Sequence, residues 1–104
     1  MSKADFEKTL GNAASNLRHV SAWIGRGEGF KSRIDQFLSQ TQASLSETKN
    51  YPMSQSNPLR LQINKLTSLL DEIAQTHPRE KGEGEKVLYL SVRLDNLRKL
   101  VSRA

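Results

Sequence analysis

The chain has 104 residues, 36% apolar and 6% aromatic, with 16 basic residues against 11 acidic ones, a net charge of +5 and no cysteine. That length allows one domain with one modest core, and no run of about 18 apolar residues is present to cross a membrane. The missing cysteines exclude disulfides, thiolate nucleophiles and thiolate metal ligands, and the opening Met-Ser-Lys-Ala-Asp-Phe-Glu lacks the apolar core of a signal peptide, so the expected location is the cytoplasm.

Apolar residues recur by fours and threes at Phe6, Leu10, Ala13, Leu17, Val20 and Ile24. That spacing lines one stripe of an α-helix and predicts a first helix over residues 3–24. Ser2 is placed to cap it, with Asp5 three residues on and Glu7 in the first turns. Gly11 in its middle costs up to ~1 kcal/mol against alanine, and close approach by a neighbouring helix is one reason to hold it there. Three alternating glycines in residues 25–29 break the pattern. A second helix is predicted over 30–48, with Phe30, Ile34, Phe37, Leu38, Thr41 and Leu45 inward. The polar stretch 49–57 contains Pro52 and reads as a loop.

Asn57-Pro58 is the sharpest boundary, with asparagine at the cap and proline where its missing N–H does no harm. It opens a third helix over 58–76, carrying Leu59, Ile63, Leu66, Leu70 and Ile73 and stopped by His77-Pro78. Residues 79–85 are charged and interrupted by glycine, which reads as a mobile loop. A fourth helix follows over 85–102, with Val87, Leu90, Leu94, Leu97 and Val101 along its stripe. No segment alternates polar and apolar residues long enough to make a strand. A single helix cannot bury its own stripe, so the sequence predicts an all-α fold: a small antiparallel bundle of about four helices.

Nothing in this pattern supports an enzyme. His19 and His77 match no zinc-binding spacing, Asp71 and Glu72 are adjacent and so diverge on a helix, and residues 25–29 follow no strand and form no phosphate-binding loop. No catalytic residue, metal site or cofactor is expected.

Two basic clusters carry the binding chemistry. Arg18, Arg26, Lys31 and Arg33 surround the first turn, offset by Glu28. Lys86, Arg93, Arg98, Lys99 and Arg103 lie on the fourth helix, offset by Glu85 and Asp95. Arginine forks suit phosphate or carboxylate, so Arg18, Arg26, Lys31, Arg33, Arg93 and Arg98 are the candidate contacts to nucleic acid or to an acidic protein tail. Trp23, Phe30 and Tyr51 offer stacking surfaces near the first cluster. The competing reading makes Trp23 and Phe30 core anchors and the arginines a solvated surface. On the fourth helix Val87, Leu88, Leu90, Val92, Leu94, Leu97, Leu100 and Val101 cover more than one stripe. A central place in the bundle is the first expectation, and a second face for a partner helix or another copy is the alternative.

The order of these features has a counterpart. Phe6-Glu-Lys-Thr-Leu leads a leucine-rich helix; Phe30 follows the turn; then come Arg33-Ile-Asp-Gln-Phe-Leu, Thr41 and Leu45; after a polar loop, Leu61-Gln-Ile-Asn-Lys-Leu runs on to Leu69-Leu-Asp-Glu-Ile. In this order residues 6–75 resemble the N-terminal helices of the PriC family of primosomal replication proteins. The resemblance implies a helical replication-restart factor that contacts DNA or the acidic tail of single-stranded DNA-binding protein. The chain is shorter than those proteins, and its final stretch from Tyr89 to Arg98 falls outside the likeness, so no contacts carry over there. A reading of a different class is a small helical adaptor or chaperone of a secretion system or phage, engaging a partner helix through the fourth helix. The sequence sets no oligomeric state.

Overall fold

The computed structural model describes residues 1–26, 28–75 and 81–103, and every regular element among them is helical. Helices α1 (Lys3–Trp23), α2 (Lys31–Glu47), α3 (Pro58–Gln75) and α4 (Lys81–Arg103) make the bundle, with short 3-10 turns at Glu28–Phe30 and Thr48–Asn50. α1 packs on α2 and most extensively on α4, while α3 closes the ring between α2 and α4. Cross-links between neighbours fix the directions. Ser91 Oγ donates to the Ala14 carbonyl at 2.8 Å, Gln42 Nε2 to Asp71 Oδ1 at 2.9 Å, and Arg93 Nη2 to Gln62 Oε1 at 2.9 Å. Gly84 packs by Ser21 and Ile24 while Gly11 packs by Arg98, Trp23 meets Phe30 while Phe6 meets Tyr51, and Gln42 meets Asp71 while Thr48 meets Arg60; Ile73 shares a cavity wall with Gly82 and Leu59 with Leu97, so adjacent helices run antiparallel, as the sequence predicts. The body measures 41 × 21 × 19 Å.

The stripes meet as one core. Phe6, Leu10, Leu17 and Val20 of α1, Ile34, Leu38 and Leu45 of α2, Ile63, Leu66 and Leu70 of α3, and Val87, Leu90 and Leu94 of α4 are all buried. Each such side chain removed from water contributes roughly 1.5–3 kcal/mol, which is what holds helices of unremarkable propensity in place. Ala13 and Ala14 are buried beside Ser91, so small side chains occupy the seam where α1 and α4 meet.

Local chemistry sets the helix ends. Ser2 and Asp5 form a reciprocal capping box: the Asp5 N–H donates to Ser2 Oγ at 3.1 Å and the Ser2 N–H to Asp5 Oδ2 at 3.5 Å. α1 stops at Gly25, whose φ of 86° lies in the left-handed region that favours glycine. Asn57 Oδ1 accepts from the Leu59 N–H at 2.9 Å, capping α3 ahead of Pro58.

The fourth helix departs from expectation by starting at Lys81 instead of residue 85. The glycines at 82 and 84 lower local propensity by ~1 kcal/mol each, but tertiary contact overrides it. A Cβ at position 84 would come 3.4 Å from the Ser21 carbonyl and 3.6 Å from the Ile24 side chain, so glycine permits close packing on the end of α1. Residues 79 and 80 of the expected loop, the His77-Pro78 stop and Thr76 lie outside the described residues. No described helix is long and apolar enough to cross a membrane.

Candidate functional site

The chain reverses between α1 and α2, which lays the last turns of one helix beside the first turns of the other. Positions 19 and 23 are one turn apart on α1, and positions 30 and 37 are two turns apart at the start of α2. The result is a continuous run of rings. His19 and Trp23 stack with centroids 5.7 Å apart; Trp23 meets Phe37 edge-on at 4.9 Å; Trp23 and Phe30 lie 6.2 Å apart, nearly parallel; and His19 meets Phe37 edge-on at 6.2 Å. His19 is exposed, and Trp23, Phe30 and Phe37 are half-buried against the core. Trp23 and Phe30 therefore anchor the bundle with one side and present the other to solvent.

Tyr51 is not part of this end. It stacks on Phe6 with centroids 4.3 Å apart and planes 3° from parallel. Phe6 lies 17 residues before Trp23 on α1, about 25 Å away along the axis. The antiparallel return of α2 carries Tyr51 back to the start of α1, away from the cluster beside which its sequence position had placed it.

Arg26 lies in the turn, Lys31 opens α2, and Arg33 sits one turn before Phe37 on the same edge; all three are exposed at the aromatic end. Arg18 is exposed on the edge of α1 turned toward α4, one turn after Ala14, which accepts the Ser91 hydrogen bond. Among the described residues none of the four is engaged in an ion pair. From His19 and Phe37 the α1–α2 seam continues as a polar cleft of about 410 Å³ lined by Asn12, Ser15, Asn16, Gln40 and Ser44, amides and hydroxyls without a carboxylate.

The basic residues of α4 are arranged differently. Arg93 is bonded to Gln62 on the α3 side. Arg98 Nε donates to Asp95 Oδ1 at 3.0 Å, and its stem crosses Gly11, where a Cβ would meet Arg98 Cδ at 3.0 Å. That contact accounts for the glycine within α1. Lys99 reaches Asp95 at 3.4 Å and Lys86 reaches Glu83 at 3.3 Å. The structure thus brings Arg26, Lys31 and Arg33 together with the rings, and sets Arg93 and Arg98 on two other faces with their heads already held.

The Arg98 hydrogen bond, with the Arg98 and Lys99 charges beside it, holds the Asp95 carboxyl below the usual carboxylate range despite its partial burial. A carboxyl more acidic folded than unfolded stabilises the fold above its unfolded pKa. That contribution is lost as pH falls through the aspartate range, from about 4 downward. Asp95→Asn is expected to lower stability by about 0.5 kcal/mol at neutral pH. In urea titrations its difference from the parent should shrink as pH falls below about 4.

One residue with structural consequence was not singled out by its chemistry. Arg60 is buried, at 4% exposure, on the inner stripe of α3, one turn before Ile63. Its Nη2 donates to the Thr48 carbonyl at 2.8 Å and to the Tyr51 carbonyl at 3.2 Å, while Nη1 reaches Thr48 Oγ1 at 3.5 Å. The Thr48 carbonyl also accepts from the Tyr51 N–H at 3.1 Å, so the guanidinium is a second donor there and supplies one to the Tyr51 carbonyl, just past the end of α2 where the helix dipole favours a cation. Its place in the 60, 63, 67, 70 register was the available signal.

Among the described residues no group of histidines and carboxylates is arranged to hold a metal ion. Comparison with protein-family models, with curated proteins and with solved structures finds no match to this chain.

Proposed function

We propose that this chain is a non-catalytic nucleic-acid-binding factor whose contact surface is the aromatic end of α1 and α2. Bases of a single strand stack on the solvent sides of Trp23, Phe37 and His19, and Arg26, Lys31 and Arg33 hold the neighbouring phosphates. One observation carries the reading: partly exposed rings in mutual contact, beside exposed cations that make no ion pair among the described residues, with an amide-lined cleft leading away. Rings give stacking that tolerates any base, cations track the backbone, and the two together are how proteins hold single strands. The net charge of +5 favours the encounter. The resemblance of residues 6–75 to the PriC family supplies the setting, replication restart in the cytoplasm, and makes the acidic tail of single-stranded DNA-binding protein the other anionic ligand for these cations.

Trp23 is the only tryptophan, so its emission reports on the site directly. Titration with a single-stranded oligonucleotide should quench that emission, more strongly than duplex of the same length. Trp23→Ala should weaken binding by about 1–3 kcal/mol, roughly 5- to 150-fold. Unchanged tryptophan emission on addition of single strands and of a forked DNA would remove the reading.

A second reading, the helical adaptor, is favoured by a separate observation. Leu88, Tyr89, Val92 and Leu100 of α4 are 45–58% exposed, so the wide apolar arc of this helix is not used up by the bundle. The expected central position of α4 does not hold, because a ring of four leaves each helix one outer side. Retention of the chain on an amphipathic partner helix, abolished by a charge at Val92 and indifferent to Trp23→Ala, would support this reading over the first.

A further inference from the structure

We infer that the outer face of α4 is where two copies of this chain pair, antiparallel and related by a two-fold axis. The apolar residues Leu88, Tyr89, Val92 and Leu100 lie within about a third of the helix circumference, on the side opposite the buried Leu90, Leu94 and Val101. Glu85 and Arg103 are 18 residues apart, five complete turns at about 3.6 residues per turn. They therefore share one azimuth, in the middle of that arc, one near each end of the helix. Both are exposed, and among the described residues neither has a partner in its own chain.

This charge pattern chooses the occupant. A uniformly acidic helix would be repelled at Glu85 and a uniformly basic one at Arg103. A second α4 laid antiparallel meets attraction at both ends. The register that sets Glu85 opposite Arg103 also sets Leu88 opposite Leu100 and Val92 opposite Asn96. Two-fold symmetry then makes each of these contacts twice, as an isologous interface requires. Lys99 lies within the same arc and falls level with Tyr89 in this register, its charge held by Asp95 of its own chain at 3.4 Å.

The available area sets the strength. α4 has 23 residues, about 34 Å of helix, and a single helix face is about 10 Å wide. Pairing along it stays below about 1,200 Å² in total, the range of weak, reversible association. The dimer should therefore dissociate in the micromolar range or weaker. Pairing uses a different face from the aromatic end and stands independently of nucleic-acid binding.

Sedimentation of the full chain from about 1 μM to about 1 mM should show monomer passing to dimer. Val92→Asp should stay monomeric throughout, with unchanged helical circular dichroism and an unchanged Trp23 titration. Glu85→Arg should weaken the dimer about tenfold, since two attractions become two repulsions. Combining Glu85→Arg with Arg103→Glu should restore it, because the swapped face is again self-complementary. A parent chain that stays monomeric, or a Val92→Asp variant that dimerises like the parent, would overturn the inference and leave the face to a foreign helix. A double swap no better than the single reversal would overturn the proposed register.

Discussion

Arg60→Met is expected to lower the stability of the fold by about 2 kcal/mol, read as a fall of roughly 8 °C or more in melting temperature. The guanidinium donates to the Tyr51 carbonyl and to the Thr48 carbonyl, which also accepts from the Tyr51 N–H at 3.1 Å, and it touches the Thr48 hydroxyl. Thr48 is fully buried and Tyr51 is half-buried, so the Thr48 carbonyl is left with the Tyr51 N–H alone and the Tyr51 carbonyl gains little from water in place of this donor. Leaving a buried acceptor unmet costs about 1–3 kcal/mol. Methionine fills similar space and relieves the desolvation of a buried charge, which offsets part of the loss but supplies no donor. Arg60→Lys should fall between the two, because one ammonium on a shorter stem cannot bridge carbonyls three residues apart. For a domain of this size, holding about 5–10 kcal/mol in total, the loss is a large fraction. A melt of Arg60→Met that coincides with the parent would mean that solvent reaches these carbonyls after all.

The contrast between Arg60 and the helical stripes shows what the sequence discloses. Phe6 through Ile24, Leu59 through Ile73 and Val87 through Val101 were legible because 3.6-residue periodicity is local and nothing in the tertiary structure contradicts it. The start of α4 was hidden, because Gly82 and Gly84 read as a break until α1 is placed against Gly84. At the candidate site, Trp23 and Phe30 stood out by their nearness to basic residues. His19 and Phe37 join them only after the turn folds α2 back along α1, and the same reversal removes Tyr51 to the far end. The commitment of Arg98 and Lys99 to Asp95 was readable from the spacings of three and four. By contrast, the charges of Arg26, Lys31 and Arg33 gain their meaning from rings that the fold brings beside them. For Leu88, Val92 and Leu100, periodicity shows a wide arc without showing which part of it a neighbour covers.

Replacing Arg26, Lys31 and Arg33 together by glutamine is expected to cut single-strand affinity by about two orders of magnitude at low salt, with a shrinking difference as salt rises. The salt dependence is the more specific reading. Three phosphate contacts to a single strand give a slope of log K against log salt of about −2, at about −0.7 for each contact. The triple variant should flatten that slope toward zero, while Trp23→Ala should lower affinity and leave the slope intact, because stacking releases no counterions. Arg93→Gln and Arg98→Gln serve as the comparison. Both side chains are half-buried and bound within the chain, to Gln62 and to Asp95. Neither lies on the face that carries the rings, so each should change affinity less than about threefold. Equal losses from the two sets would move the phosphate path off the α1–α2 end, since only cations beside the strand can alter both the strength of binding and its salt slope.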